Sequence, residues 1–420
     1  MLNSAYNFMI TGANFGNKGA QSMLFVTTDE LRKRFPLCSV YFVSDGKYNE
    51  SDYVFKKGIS SRVLRAYTGG GEARFKAFCK GLILDAVKLI HGERNFFLSE
   101  YCGLPSHMSS MTALVDISGF TLGSKWGVKS PERYIMKIKL AKKYNVPVYL
   151  MPQSFGPFDY EPEIMQKITP LLSAELQYPR MIFAREKDGY DYLTQLFGLK
   201  NVYLSTDLVL QNKGVNPENI FRVKPSLSVP KITGNIENVA VIPNKRCFQH
   251  GNGDKILECY RKIIDYISGQ GYRVVIFRHS HEDLEICRTL KNFYPDNENI
   301  VLFENDFSCL EYNEFVKQFK FIICSRYHGL VHAYKNDIPC VALGWAVKYR
   351  NLADVLGQSG YIFDITSENV DTEGIIKGLS CLLKNYEAEK ITIREKLAEI
   401  QSRNCFDMLE EDLRKTGAVN

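Results

Sequence analysis

The sequence lacks several patterns that would assign it to common classes of protein. Its eleven cysteines include no CxxC pair, which argues against a zinc ribbon and against a dithiol redox motif. No apolar run approaches the roughly 20 residues needed to cross a bilayer. The start, MLNSAYNFMITGANFG, has neither a basic n-region nor a small-residue cleavage site, so no signal peptide is expected there. There is also no GxSxG elbow of a serine hydrolase.

Composition and charge indicate a globular protein of more than one domain. The 420 residues exceed what one hydrophobic core usually spans, and 45% are hydrophobic and 24% charged. An odd number of cysteines, several of them inside apolar stretches, fits a reducing compartment, so we expect a cytoplasmic protein. The net charge of +6 is compatible with anionic substrates or an anionic membrane surface, but it is too small to predict nucleic-acid binding.

Apolar stretches alternate with amphipathic stretches along most of the chain. YNFMIT, ALVDIS, NVAVIP and YRVVIF are nearly continuous in apolar residues, which is typical of parallel strands buried on both faces. Residues 214–236 are rich in Pro, Asn and Gly and have no period, which indicates a linker. We therefore predict an α/β fold of two Rossmann-like, doubly wound domains facing a cleft, at residues 1–213 and 237–385. A charged helical segment, 386–420, is expected to pack back on the body.

Three charged side chains follow predicted strands at the edge where such folds bind ligands. Arg326 and His328 come directly after FIIC, at the start of a helical stretch whose backbone N–H groups could bind an anion. Arg326 can grip a phosphate or carboxylate through two parallel bonds, and His328 can transfer a proton near neutral pH. Arg185 ends the strand MIFA in the first half in the same way. The alternatives are a satisfied core histidine and arginines held in ion pairs.

Other candidate positions carry weaker signals. The loop Gly12–Gly19, with Asn14 and Asn17, could cradle an anion, although it matches neither GxGxxG nor the Walker A pattern and a tight turn explains it nearly as well. Asp116 ends another strand and could act as a base or cap a turn. The stretch RHSHED, with His279 and His281, looks metal-like but has no further clear ligands, so we interpret its histidines as surface residues. No metal site is predicted.

Several motifs together resemble the polysaccharide pyruvyl transferase family. They are GANFGNKGAQSML, MPQSFGPF, FAREKDGYDYL, SRYHGLVHAYKNDIPCVAL and WAVKYRNL, which occur in the family's order over roughly residues 8 to 355. The resemblance implies a fold like that of GT-B glycosyltransferases, with the acceptor on the first domain and the donor on the second. It also implies phosphoenolpyruvate as donor, without a further cofactor, and a sugar of a cell-surface glycan or its lipid-linked precursor as acceptor.

The same resemblance suggests roles for individual residues. Arg185, Arg326 and His328 match positions that the family uses around phosphoenolpyruvate. In our hypothesis His328 and Arg185 are catalytic, with His328 as the general acid. The predicted donor site consists of Arg326, Tyr327, Arg185 and Lys348, and the predicted acceptor site of Asn14, Asn17 and Asp116. The main alternative is a GT-B-type sugar-nucleotide glycosyltransferase, and a catalytically inactive relative with a binding role is a third hypothesis.

Residues 73–94, ARFKAFCKGLILDAVKLIHGER, place basic residues beside an apolar stretch. Such a segment can lie on a membrane surface, which would suit a lipid-linked acceptor at the inner face of the membrane. An ordinary core helix is the commoner explanation of the pattern, and we expect it here.

Overall fold

The computed structural model describes residues 6–43, 48–68, 71–91, 96–344 and 347–419. Within these residues, eight parallel strands form the first sheet, in the order β3-β2-β1-β4-β6-β7-β8, with β5 paired to β6. The strands are β1 (Asn7–Thr11), β2 (Ser39–Phe42), β3 (Lys56–Lys57), β4 (Ala113–Asp116), β5 (Phe120–Leu122), β6 (Val148–Phe155), β7 (Met181–Ala184) and β8 (Val202–Leu204). This sheet is the central layer of the first domain.

A second parallel sheet carries the second domain. Its described strands are ordered β11-β10-β9-β12-β13-β14, with the chain stepping outward from β9 in both directions. This is the strand order of a Rossmann fold. The strands are β9 (Asn238–Ile242), β10 (Arg273–Phe277), β11 (Ile300–Phe303), β12 (Ile322–Cys324), β13 (Cys340–Gly344) and β14 (Ile362–Asp364).

Helices cover the faces of both sheets. In the first domain they are α1 (Lys18–Arg34), α2 (Ser61–Thr68), α3 (Gly71–Ile90), α4 (Phe97–Ser109), α5 (Ser130–Lys143), α6 (Pro162–Glu175), α7 (Lys187–Asp191) and α8 (Leu208–Gln211). Later in the chain they are α9 (Lys245–His250), α10 (Gly253–Gly269), α11 (Leu284–Asn292), α12 (Cys309–Val316), α13 (Tyr327–Lys335), α14 (Val347–Val355), α15 (Thr372–Lys384), α16 (Tyr386–Gln401) and α17 (Cys405–Lys415).

The apolar character of the strands explains the layered fold. The eight residues of β6 are all buried, as are the five of β13, because each strand has helices on both sides. The predicted pair of doubly wound α/β domains is therefore confirmed. The residue limits predicted for the domains and the linker remain predictions.

The two domains share one apolar core cluster, which contains side chains of α1, α12 and α13. Residues 214–236 lie against both domains: the backbone N–H of Val54 donates to Ile220, and that of Ile232 donates to the side chain of Gln318. At the C-terminus, Asp412 of α17 accepts hydrogen bonds from Tyr149 and Arg180 of the first domain. The chain therefore ends on the domain in which it began.

No helix in the described part of the chain is long and apolar enough to cross a membrane. Trp345 of the motif WAVKYRNL, and residues 92–94 of the segment 73–94, lie outside the described residues.

Candidate active site

One cavity between the domains lies at the carboxyl ends of the strands of both sheets. In each sheet the strand order reverses beside the first strand, and ligands of such folds gather outside the strand ends at that point. The cavity has a volume of about 830 Å³. Its lining includes Gly12, Asn14, Asn17, Ser118, Phe120, Lys125, Trp126 and Arg185 from the first domain, and Asn244, Arg246, His279, Glu282, Arg326, Tyr327, His328 and Lys348 from the second.

Arg326 lies between β12 and α13 and is held in place by two carboxylates. Its Nε donates to Asp283 Oδ2 at 2.8 Å, and its Nη2 donates to Glu282 Oε1 at 2.6 Å and to the other oxygen of Asp283. Although burial disfavours the charged form, these carboxylates raise the pKa of Arg326 above its ordinary value. The guanidinium therefore stays cationic and fixed, and Nη1 is its one nitrogen with no hydrogen-bond partner among the described residues.

Arg185 follows β7 and is more completely engaged than the sequence suggested. Its Nη1 donates to Asp207 Oδ2 at 2.7 Å, and its Nη2 donates to Ser154 Oγ at 2.8 Å and to the carbonyl of Gly119 at 2.9 Å. Its Nε is buried and has no hydrogen-bond partner among the described residues, although Oε1 of Glu186 lies 3.8 Å away. Three of the five N–H groups of the guanidinium are therefore engaged, and a ligand in the cavity would meet the charge of Arg185 together with the N–H of Nε and one N–H of Nη1.

Asp207 connects the two domains electrostatically. It is fully buried, caps α8 by accepting from the N–H of Val209, and lies 2.7 Å from Arg185 and 3.6 Å from Nε2 of His328. Against the cost of burial, His328 and Arg185 hold the pKa of Asp207 below its ordinary value. The sequence analysis missed this residue, because an Asp before the short apolar run LVLQ looks like an ordinary helix cap.

His328 lies directly against the first turn of α1. A Cβ atom at position 19 would be 2.2 Å from Cγ and Nδ1 of His328, so only glycine fits there. Nε2 of His328 is buried, and no described residue forms a hydrogen bond with it. Burial, helped by the nearby Arg185 and Lys348 and opposed by Asp207, lowers the pKa of His328 to about 4. The imidazole is therefore neutral near pH 7 in the absence of a ligand.

Tyr327 and Lys348 complete the cationic side of the cavity. The ring of Tyr327 lies 4.7 Å from Cζ of Arg185 and 5.4 Å from Nζ of Lys348, which places it between the two cations. Burial, together with the nearby Arg185, lowers the pKa of Lys348 to about 8. The structure thus places Arg185, Arg326, Tyr327, His328 and Lys348 around one space, which is rich in positive charge.

The predicted acceptor residues divide into two groups. Asn14 and Asn17 line the cavity, and Asn17 Oδ1 caps α1 by accepting from the N–H groups of Gly19 and Ala20. Asp116 does not line the cavity. It is fully buried, pairs with Lys137 at 2.6 Å and accepts from Ser118 and Thr11. A direct contact with an acceptor was therefore the wrong role for Asp116, which supports Ser118 from beneath the cavity.

The structure also corrects the interpretation of His279 as a surface residue. Its side chain is only 3% exposed and lines the cavity, and its Nε2 has no hydrogen-bond partner in the described part of the chain. Burial and the nearby Lys18 hold the pKa of His279 well below its ordinary value, so it too is neutral near pH 7. His281 is exposed, as expected. In the described residues, no group of three or more His, Cys, Asp or Glu side chains is arranged to hold a metal ion.

Comparison with known protein families identifies the family to which the chain belongs. The model of the family "Polysaccharide pyruvyl transferase" matches residues 17–346, most of the sequence. The chain belongs to the polysaccharide pyruvyl transferase family. The matched range contains Arg185, Arg326 and His328 and ends before Lys348. A search of curated protein sequences found no significant match.

Solved structures with the same architecture are GT-B enzymes. UDP-GlcNAc 2-epimerase from Neisseria meningitidis, bound to UDP-GlcNAc, superposes with a TM-score of 0.53 at 13% identity, covering 98% of this chain and 99% of the epimerase. UGT71G1 from Medicago truncatula, complexed with UDP-glucose, has a TM-score of 0.51 at 10% identity, with 98% and 99% covered. Identities this low establish the GT-B-like fold alone.

Proposed function

We propose that this member of the family transfers pyruvate from phosphoenolpyruvate to two hydroxyl groups of one sugar, as a cyclic ketal, and releases phosphate. The acceptor would be a sugar of a cell-surface glycan or of its lipid-linked precursor. The observation that carries the proposal is the cluster of Arg185, Arg326 and Lys348 around the buried imidazole of His328. A small dianionic or trianionic enol ester requires such a site, with cations for its two acidic groups and a proton donor beside them.

The proposed reaction begins with proton transfer to the donor. Protonated His328 gives its proton to the terminal methylene of phosphoenolpyruvate, and the adjacent carbon becomes oxocarbenium-like. A sugar hydroxyl attacks this carbon and loses its proton. The bond from the carbon to the phosphate oxygen then breaks, and a second hydroxyl of the same sugar closes the ketal. Two hydroxyl protons are lost, of which one restores His328 and the other leaves with phosphate.

Binding of the donor would favour the protonated form of His328. Burial keeps the imidazole neutral in the structure, with a pKa of about 4. The negative charges of bound phosphoenolpyruvate would stabilise the imidazolium, and each unit of pKa gained corresponds to about 1.4 kcal/mol of interaction. Arg326 and Lys348 would hold the phosphate, and Arg185 would face the carboxylate with Nε, which makes no hydrogen bond to the described residues and lies 3.8 Å from Glu186 Oε1. We thus expect donor binding to take up a proton near neutral pH.

The size of the cavity leaves room for an acceptor beside the donor. Phosphoenolpyruvate has few atoms, whereas the cavity measures about 830 Å³. We place the sugar on the side lined by Asn14, Asn17 and the aromatic pair Phe120–Trp126, whose ring centroids are 5.7 Å apart. The exposed Trp126 offers an apolar face with a polar edge, the kind of surface that sugar rings contact. All eleven cysteines are unpaired, which supports a reducing compartment, and we propose the cytoplasm.

The function is tested by donor consumption. The protein is incubated with phosphoenolpyruvate or with sugar nucleotides, each with and without an extract of glycan acceptors. We expect phosphate release from phosphoenolpyruvate that depends on the acceptor, and a glycan that gains the mass of a pyruvyl ketal. Consumption of a sugar nucleotide instead would identify a glycosyltransferase. A His328→Ala protein that released phosphate at the wild-type rate would remove His328 from the proposed role.

A further inference from the structure

Helix α3 is attached to the first domain by one face only. Gly81 packs so closely on Phe97 of α4 that a Cβ atom there would lie 2.4 Å from its ring. Phe78 contacts the rings of Phe97 and Tyr101 at centroid distances of 5.8 and 5.1 Å. Asp85 accepts from the backbone N–H groups of Phe97 and Leu98 at 2.6 and 2.8 Å, so it faces α4. These contacts fix the orientation of the helix on the domain.

The opposite face of α3 is apolar and exposed. Phe75 is 69% exposed, Ile83 64% and Ile90 82%, and Leu82 is 40% exposed. Their spacing of i, i+7, i+8 and i+15 places them along one stripe of the helix. A helix in water normally buries such a stripe, and contiguous exposed apolar surface usually marks an interaction site. The expectation of an ordinary core helix for residues 73–94 was therefore wrong, because apolar spacing does not reveal which face packs.

Basic residues border this stripe. Arg74, Lys76 and Lys80 are exposed on α3, and Arg62 and Arg65 are exposed on the adjoining helix α2. Of the two acidic residues of α3, Asp85 points to α4 and Glu72 forms an ion pair with Lys76. The outer surface of α2 and α3 therefore combines exposed apolar side chains with an excess of positive charge.

We propose that the outer face of α3 docks the protein on the surface of an anionic lipid bilayer. The apolar stripe would enter the boundary between headgroups and acyl chains, and the basic residues beside it would lie among anionic headgroups. A second copy of the chain fits the surface less well, because a two-fold pairing of α3 helices would bring the same basic residues close together. The inference depends on the surface of α3 and not on the identity of the donor.

Flotation with vesicles tests the proposal. The full chain is mixed with vesicles of phosphatidylcholine containing about a quarter phosphatidylglycerol, and with vesicles of phosphatidylcholine alone. We expect the protein to float with the anionic vesicles and the double variant Phe75→Gln/Ile83→Gln to bind at least roughly tenfold less. Lys76→Glu/Lys80→Glu should lose the preference for anionic lipid. These positions are exposed, so circular dichroism should report unchanged folding.

A matched control distinguishes binding through this surface from nonspecific binding by exposed apolar side chains. Val223 and Ile391 are 81% and 53% exposed but lie outside α2–α4, and Val223→Gln/Ile391→Gln should float like the wild type. The proposal is overturned if the wild type does not float, or if Phe75→Gln/Ile83→Gln floats as well as the control Val223→Gln/Ile391→Gln. It is also overturned if light scattering shows a dimer that Phe75→Gln/Ile83→Gln dissociates, since the face would then bind a second copy. Failure of the donor assay would leave each of these outcomes unaffected.

Discussion

Asp207 offers the sharpest test of how the two domains cooperate at the cavity. Its carboxylate lies 2.7 Å from Nη1 of Arg185, in its own domain, and 3.6 Å from Nε2 of His328, in the other. Replacement by Asn keeps the size and shape of the side chain and removes its charge. The variant Asp207→Asn therefore asks whether this charge supports the proposed imidazolium.

The expected loss of interaction energy follows from the distance between the carboxylate of Asp207 and Nε2 of His328. Two unit charges 3.6 Å apart interact by roughly 4.6 kcal/mol at the effective dielectric constant of about 20 that suits protein sites. Loss of this interaction would lower the pKa of His328 by roughly three units from its value in the donor complex. If His328 is the general acid, kcat should fall by about 10²–10⁴-fold. Arg185 would also lose the carboxylate that lies closest to it, and loss of a buried charged partner typically costs roughly 3–5 kcal/mol of stability.

The assay combines turnover with proton uptake. Acceptor-dependent phosphate release gives kcat, and titration calorimetry in two buffers of different ionisation enthalpy counts the protons taken up when phosphoenolpyruvate binds. Wild type should take up a proton near neutral pH, and Asp207→Asn should take up less. The matched control is Asp412→Asn, which breaks the 2.8 Å ion pair with Arg180 outside the cavity and should cost stability without changing kcat. Wild-type turnover and proton uptake in Asp207→Asn would refute the reasoning.

Three further predictions follow from close contacts and pKa shifts. Gly19→Ala should reduce kcat at least roughly tenfold, because its Cβ would lie 2.2 Å from His328. The control Gly103→Ala, with nothing within 4 Å of its Cβ, should keep the wild-type kcat. Equal kcat values for the two variants would contradict this prediction. The pH profile of kcat/KM for the donor should fall as pH rises through about 8, where Lys348 loses its charge, and Lys348→Arg should move that limb upward. Burial lowers the pKa of His332 to about 3, so the unfolded chain binds a proton below about pH 6.5 that the folded chain does not. The free energy of unfolding should therefore decrease as the pH is lowered below about 6.5, by roughly 2 kcal/mol at pH 5 for this residue. Urea unfolding should show that His332→Gln removes this part of the loss.

The sequence predicted those parts of the site that local patterns determine. Arg185, Arg326 and His328 each follow a buried strand, and the carboxyl ends of parallel strands meet at one edge of a sheet. The motifs therefore indicated both the residue types and their placement at the cleft. The GT-B-like fold could be predicted for the same reason, since continuous apolar strands alternating with helices allow few other architectures.

The remainder depends on contacts between distant segments. Asp283 and Glu282, which hold Arg326, belong to the stretch RHSHED, where the sequence shows only a polar loop. His279 of the same stretch is buried because α12 covers it, and its ring packs on Tyr312 at a centroid distance of 5.0 Å. Nothing within a few residues of His279 signals this burial. The prediction for Asp116 was wrong for the same reason, because Lys137, its ion partner, comes from the helix α5 that lies over the strand.

The C-terminal helices constrain how the cleft can open. The chain passes from the first domain to the second between α8 and β9, and later α16 packs on α8 of the first domain and on α13 of the second. Because α16 contacts both domains in addition to the connecting segment, it restricts how one domain can move relative to the other. Any opening of the cleft that separated Arg185 from His328 would have to preserve both connections, which should limit it to a small set of motions.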